Sequence, residues 1–248
     1  MFRYLWVSLL VITVLASPVR AEEASMTVLV TGANRGIGLE LARQLTEQGH
    51  TIIGTARKPA EAKELQALGA KVMQLDVIDP ESVAALAASL GDQPIDLLIN
   101  NAGTGAQTPG SFQDTVFERV KLTFDVNSLG PMRVTQALLP NFLASKGKTV
   151  VHISSIMGSI ANNRGGYYGY RASKTALNML NSSLALELAD QGVTSVVMHP
   201  GWVQTRMGGA GADITVDVSV AGMIAVIEGL EPGQTGRFYD YQGNELPW

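Results

Sequence analysis

The chain predicts an α/β fold, a doubly wound parallel sheet in a single domain. Three observations carry that expectation. β-rich runs alternate with helix-period stretches along the chain; the first such run stops at a glycine-rich turn that opens a helix; and 248 residues bury one full core with no linker or internal repeat to divide them. Strand alternating with helix covers both faces of a parallel sheet.

The opening element is Val28-Leu29-Val30-Thr31-Gly32-Ala33-Asn34-Arg35-Gly36-Ile37-Gly38, read as strand, tight turn, helix, with Ile37, Leu41 and Leu45 on a buried stripe. Bare N–H groups and the positive end of a helix dipole make such a turn a phosphate site, and its glycines admit a pyrophosphate to the backbone. The spacing is Gly-x3-Gly-x-Gly, not the commoner Gly-x-Gly-x2-Gly. Gly32, Asn34, Arg35, Gly36, Ile37 and Gly38 are therefore the first cofactor-binding candidates.

Thr51 to Thr55 is the second strand, and Ala56-Arg57-Lys58-Pro59 ends it. A carboxylate at this strand end would bind an adenosine 2′-hydroxyl; the chain instead has Arg57, with Arg35 in the glycine turn as a second cation. Two guanidiniums and no acid favour NADP(H), with NAD(H) left open as the alternative. Lys71 to Leu75 is the third strand, ending at Asp76 on the sheet edge where ligands bind, and Glu81 to Leu90 is a helix. Ile95 to Ile99 is the fourth strand, running into Asn100-Asn101-Ala102-Gly103, whose small residues let backbone lie under a ribose.

Phe112 to Asn127 and Leu129 to Ala144 read as two long helices joined near Ser128, with Pro131 tolerated in the first turn of the second. Thr149 to Ser154 is the fifth strand, with Ser155 at its carboxyl end, followed by a Gly- and Asn-rich loop over 158–169. A helix opens at Tyr170-Arg171-Ala172-Ser173-Lys174 and runs to about Asp190; Val193 to Met198 is the sixth strand; a helix over Val216 to Leu230 and a strand over Arg237 to Tyr239 close the fold. Met207 to Thr215, with three glycines, reads as a lid over a pocket.

Tyr170 and Lys174 share one helix face. A phenol with an ordinary pKa of about 10 is a weak acid, but an ammonium beside it favours the phenolate and pulls its proton affinity toward working pH. Ser155 is placed to hydrogen-bond a substrate oxygen, and Asn127 to hold a water or backbone group that keeps Lys174 in position. Tyr167 and Tyr168 lack a lysine one turn on.

Composition narrows the rest. The chain is 46% hydrophobic and 16% charged with a formal net charge of −4, which gives no basic excess for nucleic acid. Zero cysteines exclude disulfides and thiol chemistry, and His50, His152 and His199 stand in no metal-ligand spacing, so no metal is expected. Residues 1–21 form a signal-peptide or N-terminal anchor pattern: Arg3, an apolar run over Tyr4 to Leu15, then Val19-Arg20-Ala21 before Glu22. Its use would place the domain, residues 26–248, in the periplasm or outside the cell; a start at Met26 would leave it cytoplasmic. No other stretch approaches the ~20 apolar residues of a membrane span.

These ordered motifs resemble the short-chain dehydrogenase/reductases over Met26 to Trp248: Thr31-Gly-Ala-Asn-Arg-Gly-Ile-Gly38, Asn100-Asn-Ala-Gly103, Asn127, Ile153-Ser-Ser155, Tyr170-x3-Lys174 and Pro200-Gly201 with Thr205. Tyr170-Arg-Ala-Ser-Lys174, His199-Pro-Gly-Trp-Val203 and Thr205-Arg-Met-Gly-Gly209 are similar to the sniffer-type carbonyl reductases and C-factor-like proteins. The resemblance implies a Rossmann fold with strand order 3-2-1-4-5-6-7, a catalytic set of Asn127, Ser155, Tyr170 and Lys174, and a lysine that also binds the nicotinamide ribose. It places Asp76, Val77, Asn101, Ala102 and Gly103 along the cofactor, and Pro200, Gly201, Val203 and Thr205 on its nicotinamide side. It further implies a small carbonyl or alcohol substrate and a homodimer or homotetramer paired through residues 112–144 and 170–190. Two rivals stay in view. One is a cofactor-binding signalling protein with unused catalytic residues. The other is a sugar-nucleotide epimerase, which the glycine spacing and the short chain after the sixth strand disfavour.

Overall fold

The computed structural model describes residues 25–105 and 111–248. The expected signal or anchor segment, residues 1–21, lies outside the described residues. Among the described residues seven strands form one parallel sheet: β1 Thr27–Val30, β2 Thr51–Ala56, β3 Lys71–Gln74, β4 Leu97–Asn100, β5 Thr149–Ile153, β6 Thr194–His199 and β7 Phe238–Asp240. Their order is β3-β2-β1-β4-β5-β6-β7, as the resemblance implied. The order reverses between β1 and β4, so the crevice outside the carboxyl ends of those two strands is where ligands bind in such sheets.

The helices are α1 Gly36–Glu47, α2 Lys63–Ala67, α3 Pro80–Leu90, α4 Phe117–Phe124, α5 Gly130–Ala137, α6 Leu139–Leu143, α7 Tyr168–Leu188 and α8 Val216–Glu228. Strand side chains alternate between two cores. Val28 and Val30 of β1, Leu97 and Ile99 of β4, and Val151 and Ile153 of β5 pack with α1 and α8. Leu29, Leu98 and Val150 face the other way, with α3, α5 and Phe142. Both faces are dry, which explains near-continuous apolar runs such as Leu97-Leu98-Ile99.

The stretch 112–144 departs from the expected pair of long helices. Residues 111–116 form a turn, because Ser111 Oγ donates to Asp114 Oδ2 (2.6 Å), accepts from Asp114 N (3.2 Å), and Thr115 Oγ1 donates to Ser111 O (3.1 Å). Such side-chain bonds compete with helix formation. There is also no joint at Ser128: Asp125–Leu129 is a π-helical turn that carries α4 into α5 without a break. Helix α7 opens at Tyr168 rather than Tyr170, after Gly165, Gly166 and Tyr167, all at positive φ. The short α2 was not expected; five residues carry no readable period. Among the described residues no helix is long and apolar enough to cross a membrane.

Candidate active site

The glycine turn leaves β1 at the crevice and is braced on both sides. Ala33 N donates to Thr55 O of β2 (2.9 Å), while Asn101 after β4 donates from Nδ2 to Thr31 O (2.9 Å) and Gly32 O (3.2 Å). The Asn101 amide is thus committed to holding the turn. Gly36 has φ +54°, a backbone that side chains disfavour, and a Cβ on Gly38 would stand 2.4 Å from Asn101 Nδ2 and 2.5 Å from Gly32 O. Helix α1 has no side-chain cap and no acid in its first turn, which leaves its leading N–H groups for an anion.

Arg35 and Arg57 both reach this edge, where a third cation, Arg206, joins them. Burial first, and then the charges of Arg206 and Arg57, hold the Arg35 guanidinium below its usual value. None of the three forms an ion pair among the described residues. Glycines that admit backbone-close ligands, bare helix N–H groups and converging unpaired guanidiniums fit the phosphates of a dinucleotide. Asp76 sits at the carboxyl edge of the sheet, its Oδ1 accepting from Ile78 N at 3.3 Å. Val77 is buried against Gly130, and its carbonyl accepts from Arg133 at 3.5 Å.

Farther along the crevice the catalytic candidates meet. Ser155, at the end of β5, hydrogen-bonds the Tyr170 hydroxyl across the loop that joins them. Lys174 is buried, its Nζ donating to Ile153 O at 2.7 Å and lying 5.9 Å from the Tyr170 ring centroid. Gly158 lets the loop lie on α7 there: a Cβ on it would stand 2.8 Å from the Lys174 carbonyl carbon. Asn127 sits in the π turn, where its Oδ1 accepts from Thr104 N (2.8 Å) and its Nδ2 donates to Thr104 O (2.9 Å) and Ser173 Oγ (3.1 Å). Ser128 Oγ donates to Ser173 O at 2.7 Å. The π turn therefore ties the β4 loop to α7 one residue from Lys174; such turns recur at functional sites. Gly103 of that loop lies close by, since a Cβ on it would be 3.3 Å from Asn127 Oδ1 and 4.0 Å from Lys174 Nζ.

Burial raises the Tyr170 hydroxyl above its ordinary 10, and the bond from Ser155 only offsets part of that. The Lys174 ammonium, bound to the Ile153 carbonyl and over the Tyr170 ring, does not outweigh that burial. Burial also pushes Lys174 down to about 8, leaving it mostly charged at neutral pH.

The β6–α8 segment closes the other wall. Gly201 has φ +85°, and Pro200 O accepts from Ser219 Oγ at 2.5 Å. Val203 is buried and bridges to Ile214. Thr205 lies against the glycine turn: its Cγ2 is 3.7 Å from where a Gly36 Cβ would be. Residues 207–215 follow in an ordered lobe, held where Trp202 Nε1 donates to Gly208 O (2.9 Å) and Gln204 Nε2 donates to Ala212 O (3.0 Å).

Sequence reasoning missed Arg206, Ser128, Ser173, Gly158 and His152. Arg206 offered a signal, a cation directly after Thr205. The others did not: Ser128 and Ser173 read as helix filler until the π turn brings them together. His152 is buried under the site, its Nδ1 accepting from Asn100 Nδ2 at 3.2 Å; burial, with a smaller part from the Lys174 charge, pushes it down to about 3.

The short chain dehydrogenase family profile matches residues 26–213. The chain belongs to that family. By that membership it is an NAD(P)-dependent oxidoreductase. Among the curated relatives, C-signal of Myxococcus xanthus is 46% identical over 165 residues, 66% of this chain and 99% of the relative. Two solved structures are similar along nearly their whole lengths. Carbonyl reductase Sniffer of D. melanogaster has a TM-score of 0.86 at 32% identity, covering 91% of this chain and 100% of its own. The NADPH-bound carbonyl reductase from chicken fatty liver has a TM-score of 0.83 at 34% identity, covering 90% and 99%. The long loop between Ser155 and Tyr170 and the set Asn127, Ser155, Tyr170 and Lys174 thus stand in a short-chain dehydrogenase frame.

Proposed function

We propose that this protein is an NADP(H)-dependent carbonyl reductase acting on a small aldehyde or ketone, or on the matching alcohol in reverse. The observation that carries the proposal is the meeting of the Ser155–Tyr170 hydroxyl pair with buried Lys174, in the same crevice as the paired Arg35 and Arg57. The nicotinamide, when bound, would supply or accept the hydride at the carbonyl carbon. Arg35, Arg57 and the N–H groups of the glycine turn would hold its phosphates, and Pro200 to Thr205 would line its nicotinamide side. In reduction, Tyr170 gives its proton to the carbonyl oxygen as charge gathers there, and Ser155 hydrogen-bonds the same oxygen. Lys174 stabilises the phenolate that this transfer leaves, and Asn127 keeps the Thr104 backbone and α7 in register beside it. The NADPH-bound chicken enzyme supports the choice of cofactor.

The likeness to C-signal favours a second reading, in which the fold binds cofactor and signals with little turnover. The complete Asn-Ser-Tyr-Lys set supports turnover. Fluorescence titration with NADPH and NADH, followed by a panel of aldehydes, ketones and quinones, separates the two. Tight NADPH binding with oxidation by a panel member is expected; tight binding without turnover moves the weight to signalling. We further propose pairing of two copies through the α4–α7 face, which exposes Phe117, Phe124, Met179 and Leu186. Light scattering at the monomer mass would refute it.

A further inference from the structure

The loop between β6 and α8 carries two adjacent side chains that serve opposite sides of the crevice. Thr205 is packed on the glycine turn at Gly36, which brings Arg206 to the edge occupied by Arg35 and Arg57. The next residue, Met207, reaches the loop after β4 instead: a Cβ on Gly105 would stand 3.0 Å from Met207 Cγ and 3.2 Å from its Sδ. Between these contacts the loop is internally braced. Gly208 N donates to Thr205 Oγ1 (3.2 Å), Gly209 N to Thr205 O (2.8 Å), and Trp202 Nε1 to Gly208 O (2.9 Å). Arg206 and Met207 thus belong to one internally hydrogen-bonded stretch of chain.

Three guanidiniums at one edge repel one another, and no described carboxylate answers them. The first turn of α1 holds no acid, and Glu40 in its second turn is bound to Arg43. Such a cluster is stable when a multiply charged anion sits among its members, because each N–H···O⁻ contact is then charge-assisted. We infer that Arg206 is a third phosphate ligand of the bound dinucleotide, and that its contact steadies the loop that rests Met207 against Gly105. The inference rests on the dinucleotide-binding reading above and adds to it a residue on the β6–α8 loop. The phosphate is either the adenosine 2′-phosphate or the pyrophosphate common to both cofactors.

Calorimetric titration of the full chain and its Arg206→Ala and Arg206→Lys variants with NADPH and NADH tests this. Arg206→Ala should weaken NADPH binding about ten-fold, in line with the loss of one partly exposed charge-assisted contact. Lysine should restore part of that, and the wild-type affinity should fall more steeply with salt than that of Arg206→Ala. A loss confined to NADPH assigns Arg206 to the 2′-phosphate; an equal loss for NADH assigns it to the pyrophosphate. Hydrogen exchange gives the second readout. NADPH should protect the amides of residues 205–209 in the wild type and less so in Arg206→Ala. Affinities within two-fold of wild type for both cofactors, with unchanged protection, would overturn the inference and leave the reductase reading standing. A wild-type chain that binds neither dinucleotide would remove both.

Discussion

The two ends of the crevice are built on opposite electrostatic plans. At the Tyr170 end the anchoring atoms are matched within the chain: Lys174 on Ile153 O, Asn127 on Thr104 and Ser173, Ser128 on the Ser173 carbonyl. At the phosphate end Arg35, Arg57 and Arg206 converge with no ion pair among the described residues. Orientation is costly to acquire during a reaction, so the end proposed for proton transfer is organised by folding. Charge for a phosphate works the other way. A cation already paired inside the protein would have to break that pair to bind, which is why the proposed phosphate end would be left for its ligand to complete.

The largest test strikes the organised end. Tyr170→Phe keeps the ring and removes the proton; kcat should fall by about 10²–10⁴, or roughly 3–5 kcal/mol in barrier. NADPH affinity should stay within a few-fold in the same preparation, and retained turnover would break the assignment. A smaller effect comes from His152, buried beneath Lys174 and pushed down to about 3 from 6.5. Its neutral form is the one the fold accepts. Its contribution is therefore complete above pH 6.5 and is lost as pH falls toward 3, by about 1.4 kcal/mol per unit. Urea unfolding at pH 7 and pH 4.5 should show an acid loss about 2–3 kcal/mol smaller in His152→Gln than in the wild type, while the loss from His199, which burial pushes down to about 4, remains in both. Equal losses in the two proteins would mean that the buried ring is not the acid-sensitive group.

The phosphate end responds to charge rather than to geometry. Arg57→Asp puts a carboxylate where a 2′-hydroxyl binds well and a 2′-phosphate does not. The NADPH/NADH ratio of kcat/KM should fall about ten-fold or more, about 1.4 kcal/mol. An unchanged ratio would remove Arg57 from the phosphate site. The smallest effect belongs to the hinge that opens α7, where Tyr167 adopts φ +48° without being glycine. Tyr167→Asn, a residue that tolerates this backbone, should raise stability by under about 1 kcal/mol in thermal unfolding, with turnover unchanged.

The elements that could be read in advance are those whose signal is local. The strand Val28–Val30, the turn to Gly38 and the α1 stripe sit within twenty residues, and Tyr170 and Lys174 are one helical turn apart. The reading failed where contacts between distant residues decide. Nothing near Asn127 announces a π turn, because an i→i+5 hydrogen bond has no side-chain requirement; the turn is visible only through Ser128 and Asn127 reaching Ser173, about 46 residues on. Phe112 to Val116 reads as helix by apolar content, yet Ser111, Asp114 and Thr115 bond their own turn, and Phe112 meets the edge of Tyr168 at 5.6 Å. The burial that raises the Tyr170 hydroxyl is likewise invisible in the local order of residues. Spacing puts the lysine near the ring, but only the folded chain shows that its ammonium is spent on the Ile153 carbonyl.

By itself, then, the amino-acid order determined the alternation of strand and helix, the glycine turn with Arg35 in it, and the pairing of tyrosine with lysine, since each depends on periods of two to four residues or on backbone freedom at one position. Tertiary structure alone decided three things: the π turn that locks Asn127 to α7, the burial that sets the protonation of Tyr170, Lys174 and His152, and the arrival of Arg206 beside Arg35 from about 170 residues away. Dielectric surroundings and long-range charge are properties of packing, and packing is specified by the whole chain at once.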